Sequence, residues 1–138
     1  MSEENKAIAR RWNRIFEGQA SEADAIIAPN IRYHDGPPGI PPGPDRVKAW
    51  AAPFSAFAGM QVGEEFYMSE GDIVVGRFVA KGTHTKEFMG VPASGKQVSI
   101  SGINIFRISG GKIVEHWVNY AAVGLMQQIG AIPEPGQS

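Results

Sequence analysis

The sequence predicts an α+β domain, with helices first and a curved antiparallel sheet afterwards. Three observations carry that reading. The first eighteen residues place apolar side chains at helical spacing, the pattern changes to period two from Gln61 onward, and short glycine-bearing turns separate the strand-like runs. At 138 residues the chain has room for one domain with a single core and too little for two. One domain is expected over residues 1–133, with 134–138 as a flexible tail.

In the first helix Ile8, Trp12, Ile15 and Phe16 fall at i, i+4, i+7 and i+8, charged residues fill the other side, and Gly18 is placed to end it. "SEADAIIAPN" reads as a second short helix, with Ser21 as cap and Asp24 three residues on. "IRYHD" is extended and stops at "GPPGIPPGP", which holds five of the ten prolines and is neither helix nor central strand. Between two structured pieces, that tract reads as a stiff loop over the mouth of a pocket. Pro44 and Asp45 open a third helix, with Val47, Trp50, Ala51, Phe54 and Phe57 on one face and a kink at Pro53. Strands follow at "QVGEEFYMS", "DIVVGRFVAKGTHT", "KQVSISGINIFRIS" and "KIVEHWVNYA", with "SEGD" and "SGGK" as hairpin turns. A last helix, "AVGLMQQIG", precedes the tail.

Composition excludes several classes of function. Lys and Arg (13) nearly balance Asp and Glu (14), so the chain lacks the basic stripe that nucleic-acid binding needs. With no cysteine there is no disulfide, thiolate metal site or Cys nucleophile. Three widely spaced histidines without a matching carboxylate set argue against a metal. The "GPPGIPPG" glycines lack the strand and helix that flank a phosphate loop. "MSEENKAIARRW" has no apolar signal core, and no run of ~18 apolar residues exists, so a soluble, cytoplasmic protein without membrane contact is expected.

Periodicity also orients two strands. In "IVVGRFVAKGTHT" the even side is dry (Val74, Gly76, Phe78, Ala80, Gly82) and ends in His84; its two glycines would let a sheet bend round a cavity. In "QVSISGINIFRI" the even side is Val98, Ile100, Gly102, Asn104, Phe106 and Ile108. Asn104 is the one polar residue there, and a buried amide needs partners or a ligand. The last strand is ambiguous: Glu115, Trp117, Asn119 and Ala121 share one side, Val114, His116, Val118 and Tyr120 the other. Only one of the neighbours His34 and Asp35 can face inward from a strand.

"GTHTKEFMGVPASGKQVSISGINIFRISGGKIVEHW", followed by "GLMQQIGAIP", resembles the SnoaL-like polyketide cyclases, also called ester cyclases, of the NTF2-like superfamily. The resemblance runs from the first helix to about Pro133. It implies a cone of curved antiparallel sheet wrapped around N-terminal helices, an internal pocket, and a homodimer or higher homo-oligomer formed through the outer sheet face. The family's Trp looks into the pocket, which would turn Trp117 inward and, by parity, Glu115, Asn119 and Ala121. His116 would then point outward, solvated or at a subunit interface. The family's acid/base aspartate stands four residues after that Trp, where this chain has Ala121.

The implied chemistry is cofactor-independent acid/base catalysis on a small hydrophobic carbonyl compound, as a cyclase, isomerase, dehydratase or hydrolase. Aldol ring closure needs a base, a group that steadies the enolate and an acid for the new alkoxide, but no metal or organic cofactor. Histidine titrates near working pH unaided, so His84 and His34 are the candidate bases, with Asp35 as a rival to His34. Asn104 and Asn119 would orient a carbonyl or hydroxyl, or bond each other. Trp117, Tyr33, Phe106, Phe88 and Met89 would wall the pocket, while Glu115 would pair across the sheet. The contrasting expectation is a non-catalytic pocket that keeps a hydrophobic ligand after losing its acid at Ala121.

Overall fold

The computed structural model describes residues 2–35 and 42–133. Residues 36–41 of the expected loop over the pocket mouth, 36–44, and the expected tail at 134–138 lie outside them. Helix α1 is Ser2–Ile15. It ends at Gly18, whose φ of +93° suits a residue without Cβ, and the Gln19 N–H returns to the Arg14 carbonyl at 3.0 Å. Helix α2 is Glu22–Ile26, half the length expected, and Ser21 makes no side-chain cap bond. Pro29 lacks an N–H and disfavours helix at Ala28, so the chain leaves the helix there as strand β1, Ile27–Tyr33.

Helix α3, Pro44–Ala51, carries its proline in the first turn, where no N–H is needed. Pro53 then tightens the chain into a 3₁₀ turn, Ala52–Ala56. Strand β2, Phe57–Glu70, begins at Phe57, which the helical reading had placed on α3. Strands β3 (Ile73–His84), β4 (Gln97–Ser109) and β5 (Lys112–Tyr120) and helix α4 (Ala122–Gln128) complete the order. The five strands form one open sheet, β1-β5-β4-β3-β2, antiparallel except where β1 runs parallel to β5.

The even sides of β3 and β4 face the helices, as their periodicity predicts: Val74, Ala80, Val98, Ile100, Phe106 and Ile108 are all buried. Trp12 of α1 is the hub of that core, with Phe106 at 5.5 Å, Trp50 at 6.3 Å and Phe16 at 6.1 Å between ring centroids. Two sheet glycines exist to admit rings. A Cβ on Gly76 would sit 2.6 Å from the Tyr67 ring, and one on Gly102 would sit 2.6 Å from the Phe78 ring and 2.7 Å from the Asn119 carbonyl. The second contact is backbone and cannot swing aside. Gly102→Ala is therefore expected to cost about 1–3 kcal/mol in urea unfolding; an unchanged midpoint would show that the sheet yields freely there.

Strand β5 corrects an expectation. Gly110 and Gly111, at φ +59° and +77°, make a two-residue turn that pairs Ser109 with Lys112 and Ile108 with Ile113. The register then slips, so that Arg107 faces Glu115, Phe106 faces His116 and Asn104 faces Val118. The extra residue, Val114, is a β-bulge, and beyond it every side chain changes face. His116 is fully buried and Val118 nearly so, whereas Asn119 and Ala121 are exposed. Trp117, Glu115 and Asn119 thus lie on the outer face rather than the inner one, and His116 points inward rather than out.

Candidate functional site

An apolar cavity opens between α1, the α3 end and the concave sheet face, with about 520 Å³ of empty space, open solvent at its mouth included. Trp12, Phe16, Trp50 and Phe54 wall it from the helices, and Phe78, Ile100 and Val118 from the sheet. Three side chains bring polarity to that wall: Asn13, Asn104 and Tyr120. Among the described residues, no carboxylate and no imidazole belongs to it.

Asn104 is brought there by the dry side of β4 and is 4% exposed. Its Oδ1 accepts a 2.9 Å hydrogen bond from Nε2 of His116, its diagonal neighbour on β5. His116 is stacked 4.1 Å from Trp12 and edged by Phe106 and Trp50. Burial, with the repulsion of nearby His34 second, pushes its pKa down to about 3. Nδ1 of this neutral imidazole is buried without a partner, so the proton belongs on Nε2, which donates to Asn104 and leaves the amide Nδ2–H as the end for the cavity. Asn13, on α1, is held from the other side: its Nδ2 donates to Glu64 Oε1 at 3.1 Å and to the Tyr67 hydroxyl at 3.3 Å. Arg14 Nη2 reaches the same Glu64 oxygen at 3.1 Å and the Val62 carbonyl at 2.9 Å, tying α1 to β2. Burial raises the pKa of Tyr120, which keeps its phenol protonated.

Of the residues expected at the site, Asn104 alone lines this cavity. His84 is buried but turned into a second cluster, 5.3 Å from Phe57; its Nδ1 accepts the Ser94 N–H at 3.1 Å. His34 lies on the outer face, flat against Trp117 at 4.7 Å, with Nε2 2.6 Å from Glu115. Glu115 does pair across the sheet, to Arg107 Nε at 3.0 Å, and these two partners hold its carboxyl below the usual carboxylate range. Asp35 accepts the Val118 N–H at 2.9 Å, finishing the β1–β5 ladder where β1 stops. Tyr33 donates to the Gly43 carbonyl at 2.9 Å, behind the wall. Phe106 and Phe88 are buried in two separate core clusters, and Met89 is exposed at a tight turn with φ +48°. Asn119 is not bonded to Asn104 but exposed on the outer face.

Asn13 and Tyr120 on the wall, and His116 behind it, are the polar residues the sequence reading did not find. Asn13 was detectable: it sits at i+4 from Ala9 and three before Phe16, an amide on an apolar stripe.

The profile of a family described as SnoaL-like polyketide cyclase matches residues 6–129. This chain belongs to that family. TsrD from Streptomyces laurentii is 25% identical with a TM-score of 0.85, over 96% of this chain and 98% of its own. AclR from Streptomyces galilaeus, described as a candidate hydroxylase, is 27% identical with a TM-score of 0.83, over 97% and 89%. IdmH from Streptomyces antibioticus, a candidate polyketide cyclase, is 30% identical with a TM-score of 0.76, over 91% and 98%. No curated protein matches the chain. The fold of this SnoaL-like chain is accordingly the NTF2-like one, an open five-stranded curved sheet closed over by helices. Its Ala121 is the exposed residue between β5 and α4, one step past the cavity's Tyr120. No helix among the described residues is long and apolar enough to cross a membrane.

Proposed function

We propose that this SnoaL-like protein binds a small hydrophobic carbonyl compound in the apolar cavity and promotes cyclase-type ring closure there. The observation that carries the reading is Asn104. It is the one expected site residue on the wall, fixed by neutral His116 so that its N–H meets the ligand. A carbonyl oxygen placed on that donor becomes an enolate or alkoxide oxygen during closure, and the hydrogen bond strengthens as charge gathers. One such donor is worth about 10²–10³ in kcat in enzymes that use it. The aromatic walls supply the second term by holding a flexible chain folded near its own reacting carbon. Neither term moves the proton. The described wall has no carboxylate or imidazole to take it, so solvent water accepts it from the attacking carbon and returns one to the new alkoxide. The reading assigns no proton to His84, His34 or Asp35.

The test is aldol closure of heptane-2,6-dione to its six-membered hydroxy ketone, followed by NMR. The protein should exceed the buffer rate, and Asn104→Leu should lower kcat/KM by about 100-fold. A rate equal to buffer would defeat catalysis of this kind and leave the second reading, a ligand-holding protein without turnover. That alternative is favoured by Ala121 and by a wall free of carboxylate and imidazole among the described residues. Ala121→Asp separates them. In an active cyclase it should leave the rate unchanged or lower it; turnover appearing only in the variant would mark a cyclase that lost its acid.

A further inference from the structure

We infer that the ligand carries a hydrogen-bond donor as well as the carbonyl: a hydroxyl or N–H for Asn13 and a carbonyl oxygen for Asn104, on one small apolar frame. The carbonyl half rests on the function proposed above, and the donor half is new. The two wall amides have the same chemistry and present opposite ends. Asn13 spends Nδ2 on Glu64 Oε1 and on the Tyr67 hydroxyl. A carboxylate only accepts, so turning this amide over would set its oxygen against another oxygen. Oδ1, a pure acceptor, is what Asn13 shows the cavity. Asn104 is reversed, its Oδ1 taken by His116 and its Nδ2 left over.

Both residues are 4% exposed, yet neither Asn13 Oδ1 nor Asn104 Nδ2 is among the fully buried atoms without a partner, so each free end is open to the cavity and favours a ligand that brings the complementary group. The Tyr120 hydroxyl gives or accepts and adds no selection of its own. The pairing also fits the proposed reaction. In an aldol closure a new carbon–carbon bond turns one carbonyl into a hydroxyl, and that hydroxyl takes up the proton lost by the attacking carbon. The adduct holds one hydroxyl and one carbonyl, the two groups that Asn13 and Asn104 would receive.

Three bicyclic probes of nearly one shape separate the terms in calorimetric titrations: indene has neither polar group, 1-indanone only an acceptor, and indole only a donor. On the wild-type protein, 1-indanone and indole should each bind about tenfold tighter than indene. Asn104→Leu should abolish the advantage of 1-indanone alone, and Asn13→Leu that of indole alone. Retained indene binding reports an intact cavity in each variant, with Asn13→Ala and Asn104→Ala as replacements if a leucine variant does not fold. Indole affinity that ignores Asn13, or falls equally with either substitution, overturns the donor half while the carbonyl reading stands. If 1-indanone binds no tighter than indene, the carbonyl reading fails and the inference fails with it.

Discussion

Between pH 7 and pH 4.5 the protein is expected to lose about 2–3 kcal/mol of unfolding free energy to the single side chain of His116. Its pKa is about 3 in the folded protein against an ordinary value of 6.5. Between those values the unfolded chain binds a proton that the folded chain refuses, so stability falls as the pH falls, by about 1.4 kcal/mol per unit. The loss is complete below the folded value. Its cause is the packing around the ring: Trp12, Trp50, Phe106 and Tyr33 exclude water, and nearby His34 acts in the same direction rather than against it. The depressed carboxyls of Glu22 and Glu115 act in a lower window, below their ordinary value of 4.5. Urea unfolding at the two pH values measures the effect. His116→Phe should be less stable at pH 7, because Asn104 Oδ1 loses its donor, yet flatter with pH. Equal slopes for wild type and variant would contradict a neutral buried imidazole.

Removing the Trp12 ring should cost more than any other truncation considered, about 3–5 kcal/mol for Trp12→Ala. The indole is 2% exposed and touches Phe16, Trp50, Phe106 and His116, so its loss opens a void beneath the cavity and uncovers the imidazole at once. The same variant should therefore recover part of the lost stability at low pH relative to wild type, as water reaches His116 and lets it charge. Trp12→Phe keeps a ring in place and should fall well short of that cost. A Trp12→Ala penalty under ~1 kcal/mol would mean that the neighbouring rings collapse into the space.

Periodicity made much of this fold legible. The faces of α1, β3 and β4 follow from their apolar spacing, and Asn104 stood out because it interrupts a dry side. The breaks at Gly18 and Pro53 follow from backbone chemistry. Where the reading failed, the cause is a term that pattern does not carry. Ile27 was counted as helix because apolar character alone does not separate a short helix from a buried strand; Pro29 did. The outward expectation for His116 comes from the resemblance, which faces Trp117 to the pocket; the alternation of β5 alone leaves its direction open, because the bulge at Val114 puts Ile113 and His116 on one face. Counted from the glycine turn, Asn104 would oppose Trp117, and only the slip beyond Ile108 makes it oppose Val118. Such a slip is chosen by how β4, β5 and Trp12 fit together in space.

Val114 therefore acts as a phase marker in β5. Aligning this strand with a relative's residue for residue from the turn would equate solvent-side positions with chamber-side ones whenever only one of the two carries the extra residue. The chamber's chemistry can be rewritten by losing or gaining one amino acid there, with every other letter of the strand unchanged. Kinship in this part of the chain is best counted backward from α4.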